Sequence, residues 1–572
     1  MGEGNLDQDC RDRVYSEDYF DLLIEYGRYI GQLQADPNLC YNIINITHAV
    51  LYFPIATLPN NFVQIYGYGV VPSCYGLLDL PSLEASGIRR VQNIPALDLR
   101  GNGVLIGIID TGIEYTHSAF IKADGTSKIL SIWDQTIISD NPPEGFIYGT
   151  EYTREQINAA LASEDPLSIV PSVDEIGHGT FLSGIVAGNL DEDNNFGGVV
   201  PDADLIVIKL KPAKNNLKNF FEISPDILCY QETDIMQALK YLNDLANKIQ
   251  RPISIVIGLG TSSGAHDERG SLSSSVSRVA DHAGMAVSVA AGNEGTSRLH
   301  YLGTISQNEE YNTVELRVGP NEYGFTMELW GDAPNTYSID ILSPSGEYIP
   351  RIPARFGESR EIRFIFEQTV IIIDYQLVET QTGDELILLR FRSPAEGIWR
   401  FRVYASGPLE KRFHIWMPLR NFLTSDTYFP EADPYYTLTS PGNAVVPIVV
   451  TAYDISNQSL YLNASRGYNR NNIINPNLAA PGVNVIGPTL NNQYMASSGT
   501  SIAAAHTAGV AAILLEWGIV RGNLPLMDSV DIKNFLIRGA KRDPNLTYPN
   551  REWGYGILDL YSTFLNLRGD TT

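Results

Sequence analysis

Four polar residues stand where apolar runs stop or start: Asp110 after VLIGII, His178 between Gly177 and Gly179, Asn293 after AVSVAAG, and Ser501 ahead of an Ala-rich run. Serine is a poor nucleophile at neutral pH and needs a base within hydrogen-bond reach. A histidine, with an unperturbed pKa of ~6.5, can take that proton and return it to a leaving amine. A carboxylate can hold the imidazole tautomer and stabilise the imidazolium. A side-chain amide can join a backbone N–H in binding an oxyanion. The residue types therefore fit acyl transfer at a peptide bond. Two of them also have a plainer reading. Ser501 serves equally well as a helix N-cap, and Asp110 as a cap or turn residue. His178 resists a packing explanation, because nothing bulky surrounds it, whereas His117, His266 and His282 have no comparable setting.

The elements that must position these residues alternate in type. VLIGIID (104–110), DLIVIKLKP (204–212), ISIVIGLG (253–260), AVSVAAGNEG (286–295), AVVPIVVTAYD (444–454) and LAAPGVNVIGP (478–488) are apolar strands. Helical segments such as DIMQALKYLNDLANKI (234–249) and SSSVSRVADHAG fall between them. That order predicts an α/β fold, a mostly parallel doubly wound sheet covered on both faces, with ligands gathered at the strands' carboxyl ends. FLSGIVAG after His178 reads as a helix of small residues. After Ser501, Ala503, Ala504, Ala505 and Ala508 permit close helix packing, while Val510, Ile513 and Leu514 supply a buried stripe. A polar insertion at about 120–172 holds SKILSIWDQTI and a helical YTREQINAALA, and REWGYGILDLYSTFLNL reads as a last helix covering the sheet.

Two flanking units have a different rhythm. Residues 1–80 read as a small α+β domain, with strands in LLIEYG (22–27), IINITHAVLYFPIA (43–56) and NFVQIYGYGVV (61–71) and a helix around 28–35. Pro81 and Gly87 then interrupt the pattern as a linker. From about 300 to 435, TVELRVG, FTMELWG, YSIDILSP, REIRFIFE, TVIIIDYQLVE, LILLRFRSP, IWRFRVYAS and KRFHIWMPL predict a β-sandwich of jelly-roll type inserted into the α/β unit. Its Trp330, Phe366, Phe391 and Trp399 fit core packing as well as glycan binding.

Composition narrows the setting. In 572 residues, 40 Lys+Arg stand against 66 Asp+Glu, a net charge of −26 that argues against nucleic acid as a partner. No apolar run approaches a membrane span, and MGEGNLDQDCRDRVYSED lacks the pattern of a signal peptide. Cys10, Cys40, Cys74 and Cys229 are too sparse for a disulfide framework and predict free, buried thiols in a reducing compartment, hence an intracellular protein. Asp191, Asp193 and Asn194 offer oxygen ligands for calcium, with a solvated acidic turn the favoured reading.

IIDTGI, GHGTFLSGIVAG, AAGNEG and SSGTSIAAAHTAG together resemble, in order, the signature blocks of the subtilisin-like serine proteases, and NPNLAAPGV (475–483) and NREWGYGILDL (550–560) extend the likeness. The resemblance implies Asp110, His178 and Ser501 as the triad and Asn293 as the oxyanion donor. It makes Leu259–Gly260 an extended wall that pairs a peptide as an added strand, and Ala291–Gly292 part of the primary pocket. It implies no cofactor, a protein or peptide substrate, and a monomer. The intervals of 68 residues from Asp110 to His178 and 208 from Asn293 to Ser501 mark insertions. Their layout is similar to that of the clostridial spore-germination proteases (Csp), which activate a cortex-hydrolysing zymogen, so a cytoplasmic or spore-associated location is expected. The division this implies is a prodomain over 1–80, catalytic segments over 81–300 and 436–572, and the jelly roll over 301–435. The prodomain would act as an intramolecular chaperone whose end lies in the active-site cleft, with self-cleavage between Leu78 and Ser82; Pro81 favours Asp79–Leu80 or Leu78–Asp79. The family's proline before His506 is replaced here by Ala505, which removes a bend and restores an N–H.

Overall fold

The computed structural model describes residues 8–26, 39–77, 92 and 98–567. Its centre is an eight-stranded sheet in the order Leu478–Pro481, Ile448–Tyr453, Met285–Ala290, Ile253–Ile257, Leu105–Asp110, Asp204–Lys209, Ile129–Asp134, Thr150–Thr153. Neighbours run parallel except at the last pair. Strand side chains alternate between faces. Ile106 and Ile108 join a core beneath the helices His178–Ala187 and Thr500–Leu515, while Leu105 and Ile109 join the core beneath Glu232–Ile249 and Ser271–Ala280. The doubly wound α/β expectation is thus met. SKILSIWDQTI and the start of the YTREQI segment supply the two strands at one edge of the sheet, so the first insertion is partly built into the catalytic core.

Every residue of the Thr500–Leu515 helix is buried. The expectation that no apolar run approaches a membrane span is corrected at Thr500–Val520, which is long and apolar enough to cross one, although 89% of its window is buried inside the protein, where it serves as the central core helix. The last helix is shorter than its sequence pattern, covering Leu560–Leu567 only.

Residues 300–416 form two antiparallel sheets, of six and four strands. All eight expected strands are present, with His300–Ile305 and Tyr348–Ile352 in addition. Phe391 and Trp399 lie in the core between the sheets. Phe366 is 77% exposed in the turn after Ser359–Arg363, so of the two readings offered for it core packing does not apply. Trp330 is buried on the opposite side, against the N-terminal unit and the catalytic segment.

In the N-terminal unit the segment 43–56 divides into Tyr41–Ile43 and His48–Pro54, which pair with each other, and His48–Pro54 also pairs with Tyr19–Glu25. The expected strand at 61–71 is instead a helix, Phe62–Tyr66, closed by Gly67 at φ +88° and followed by a short 3-10 turn. Here glycine is required by a left-handed backbone. The helix expected at 28–35 and the cleavage bonds expected at 78–82 lie outside the described residues. The expectation of four free thiols is corrected: Cys10 and Cys40 form a disulfide, and Cys74 and Cys229 are buried and free. Sparse cysteines hid a local pairing, since the chain returns Cys40 to the short Gln8–Tyr15 helix.

Candidate active site

Asp110 ends its strand fully buried. Its Oδ1 accepts from Thr111 N (2.8 Å) and meets His178 Nδ1 at 2.6 Å. A carboxylate oxygen already taking one N–H is an acceptor, so the imidazole presents Nδ1–H to it and leaves Nε2 as the basic nitrogen. His178 opens the helix His178–Ala187. The preceding Gly177 adopts φ +88°, where a β-carbon is disfavoured. Gly179 presses so closely on the first strand's end that a Cβ there would stand 2.2 Å from Gly112 O. Its N–H donates to Thr111 Oγ1 at 2.9 Å. Asp174 fastens the same helix start. One carboxylate oxygen accepts from Ile176 N and Gly177 N, the other from Thr180 N and Thr180 Oγ1, at 2.7–3.1 Å. The glycines and Asp174 together fix where the ring hangs.

Ser501 is the second residue of the Thr500–Leu515 helix, where unpaired backbone N–H groups favour developing negative charge. Both it and His178 border Gly258. A Cβ at residue 258 would lie 3.1 Å from Ser501 Cβ and 3.4 Å from His178 Cε1. Both side chains are buried, Ser501 completely. Asn293 is oriented by Thr500. The Thr500 N–H and hydroxyl donate to Asn293 Oδ1 at 3.2 and 3.0 Å. Only an oxygen accepts from a backbone N–H, so the amide orientation is determined and Nδ2 faces away from Thr500. The Thr500 hydroxyl also accepts from Gly292 N at 3.1 Å.

The expected wall carries a strand. Cys74–Leu77 pairs antiparallel with Leu259–Gly260, Leu77 opposite Leu259 and Gly76 opposite Gly260. Its other edge pairs with Tyr230–Gln231, which the sequence reading missed. Ser73 is held beside it, donating to Glu232 Oε2 (3.0 Å) and accepting from Glu232 N (2.9 Å). Ala291 and Gly292 are committed to internal partners. Ala291 O accepts from Thr439 N, Gly292 O accepts from Ser465 N, and Gly292 adopts φ +107° against Thr439 and Ser465. A cavity of about 610 Å³ beside them is lined by Leu77, Asn293, Arg298, Arg420 and Tyr428 among others.

Thr111, Asp174, Gly258 and Thr500 are the residues that sequence reasoning missed. Asp174 had a visible signal, an Asp ahead of an N-terminal helix turn containing Thr180; Gly258 and Thr500 act through contacts far apart in sequence. Ala505 is fully buried in an unbroken helix. His506 beside it has its pKa pushed down to about 3 by burial. In the loop after His178, Asp191 accepts from Asn194 N and Asn194 Nδ2, which closes a turn. Among the described residues, no three His, Cys, Asp or Glu side chains are grouped to hold a metal.

The sequence profile of the subtilase family matches residues 101–318 and 420–556, and its interruption falls within the two-sheet insert. The C5a peptidase of Streptococcus pyogenes serotype M18 (strain MGAS8232) is 22% identical over 526 residues, which cover 84% of this chain. The C5a peptidase of serotype M6 (strain ATCC BAA-946 / MGAS10394) is similarly 22% identical. This chain spans about two fifths of their length, 42% and 41%. Among solved structures, the CspB protease of Clostridium perfringens superposes with a TM-score of 0.73 at 30% identity, over 85% of this chain and 100% of that one. With the profile covering more than half the sequence and its matched blocks carrying the converging Asp, His, Asn and Ser, the chain belongs to the subtilase family of serine endopeptidases.

Proposed function

We propose that the protein is a self-processing endopeptidase in which Ser501 attacks the peptide carbonyl. His178 Nε2 takes the hydroxyl proton as the C–O bond forms, and Asp110 stabilises the resulting imidazolium. The oxyanion is held by Asn293 Nδ2 and the Ser501 N–H. Collapse of the tetrahedral intermediate breaks the C–N bond, with the proton passing from His178 to the leaving amine. Water then attacks the acyl-enzyme by the same proton route in reverse.

The single observation that carries the reading is the antiparallel strand Cys74–Leu77 lying on the Leu259–Gly260 wall, in the position a bound peptide would take. In this reading residues 1–80 are the prodomain, 301–435 an inserted jelly roll, and 81–300 with 436–572 the catalytic domain. Leu77 pairs with Leu259, next to the Gly258 that borders Ser501, which favours Leu78–Asp79 for the cut. Likeness to the Clostridium perfringens CspB protease supports a place in spore germination, with a protein zymogen such as a cortex hydrolase as substrate and a spore-associated location. A fluorophosphonate probe should label wild type at Ser501 once the N-terminal segment is displaced, and leave Ser501→Ala unlabelled. Absence of label on displaced wild type would instead favour a protease fold retained for binding, the role to which Ala505 would point.

A further inference from the structure

Cys74 and Cys229 come from opposite sides of the boundary between the N-terminal strand and the catalytic body. Cys74 begins the strand Cys74–Leu77, and Cys229 precedes Tyr230–Gln231, the strand paired with it. The register sets Cys74 opposite Gln231 and Tyr75 opposite Tyr230. Cys229, two residues from Gln231, therefore shares a face with Cys74 and lies diagonal to it, a separation of ~7–8 Å that closing a bridge must shorten. Each thiol acts on the other's titration, as near neighbours do. Both are buried in one apolar cluster with Phe220, Phe221 and Leu419. The backbone on each side is pinned: Cys229 O accepts from Ala213 N at 2.8 Å, and Ser73 is bound to Glu232 on both its N–H and its C=O.

We infer that Cys74 and Cys229 form a redox latch, a reversible disulfide that ties the strand on the substrate wall to the catalytic body. The pair is chemically asymmetric. Burial and its thiol neighbour hold Cys74 above the ordinary thiol range, while the neighbouring Cys74 and the Lys218 ammonium draw Cys229 below it against the cost of burial. Cys229 is then the attacking thiolate. With a low-molecular-weight disulfide as oxidant, Cys229 attacks one of its sulfurs and expels a small thiolate, which takes up a proton. Cys74 gives up its proton and attacks the Cys229 sulfur of the mixed disulfide, releasing the second small thiol. Two protein thiols are oxidised and one small disulfide is reduced to two thiols. Exchange requires the strand to lift from the wall or to be caught during folding, since both sulfurs are enclosed when it is docked.

The consequence deepens the proposed self-processing. If the chain is cut at Leu78–Asp79, an oxidised latch keeps the N-terminal fragment covalently on the enzyme, and reduction becomes a condition for its departure. The cross-link itself needs only the strand pairing, so it can be tested apart from cleavage. Full-length Ser501→Ala is refolded in a glutathione redox buffer, quenched with N-ethylmaleimide in denaturant, digested and mapped by mass spectrometry. The expected result is a linked peptide pair containing Cys74 and Cys229, lost on reduction, alongside the Cys10–Cys40 pair as internal control. Alkylation of both Cys74 and Cys229, or separate glutathione adducts on them, overturns the latch. In wild type, the fragment should stay with the large chain on a non-reducing gel and separate on reduction, and Cys229→Ser should separate without reductant. If the bridge forms in Ser501→Ala but wild type stays uncut, self-processing fails and the latch stands. If wild type is cut and its pieces separate without reductant, the latch fails and self-processing stands.

Discussion

Thr500 serves two neighbours with one hydroxyl, donating to Asn293 Oδ1 and accepting from Gly292 N. It touches no reacting atom, yet it decides where the Asn293 amide points. Thr500→Val preserves shape and removes both bonds. The account predicts a fall in kcat of roughly 10- to 100-fold with little change in KM, because an oxyanion donor acts in the transition state and losing one outright is worth ~100- to 1000-fold. A matched fall in substrate affinity with kcat intact would refute that role. At this scale the sequence was most legible where chemistry concentrates in one residue. Asp110, His178, Asn293 and Ser501 each interrupt an apolar run of small residues, and the structure brings all four together. Thr500 and Gly258 escaped because their importance is set by contacts far along the chain, Thr500 with Asn293 at a separation of 207 residues and Gly258 with both His178 and Ser501.

The helix that carries His178 depends on its first turn. Asp174 takes four hydrogen bonds there, two of them from the backbone N–H groups of Ile176 and Gly177 just before the ring. Replacing it with alanine removes the cap, which costs about 1–2 kcal/mol. Asp174→Ala is therefore expected to lower Tm by a few degrees and to lose activity beyond what the fraction unfolded explains, measured by calorimetry beside fluorophosphonate labelling. Unchanged labelling in the destabilised variant would show the ring's position to be independent of the cap. Elements followed the sequence wherever burial imposes one period. The continuous apolar strands of the main sheet and the eight strands of the insert are where they were expected. NFVQIYGYGVV misled because its β-branched and aromatic residues are strand formers in general, while Gly67 and tertiary packing on Val370–Gln376 make it a short helix, with Gln376 Nε2 bonded to Val63 O at 2.8 Å. The first insertion misled in the other direction, since a polar segment gave no sign that Ile129–Asp134 pairs into the central sheet.

The three units of the molecule share one core. Phe20, Phe62 and Tyr68 of the N-terminal unit, Phe220 and Phe221 of the catalytic segment, and Trp330 and Trp416 of the insert pack in a single cluster. Glu328 of the insert accepts from Tyr68 Oη (2.5 Å), Gly264 N (2.9 Å) and Trp330 Nε1 (3.0 Å), binding all three. Sequence boundaries drawn by rhythm could not show this, because shared packing leaves no periodic mark. Beside that junction, His266, His300 and His414 stack on Trp416 at 4.1, 5.0 and 4.9 Å. Burial pushes His266 down to about 4 and His300 to about 3. Groups lowered in the fold from about 6.5 leave the unfolded chain binding more protons between those values, so their contribution is intact above about 6.5 and is lost as pH falls. His266→Gln should therefore lose less stability than wild type between pH 7.5 and 5, by about 2 kcal/mol in urea unfolding; parallel losses would contradict the neutral, buried assignment. The central claim is that the N-terminal segment is cut away by the chain's own serine, and intact-mass spectrometry of wild type beside Ser501→Ala tests it most directly. The account predicts two masses from wild type, dividing at or just after Leu78, and a single uncut mass from the variant. A single mass from both, or the same division in both, would contradict it.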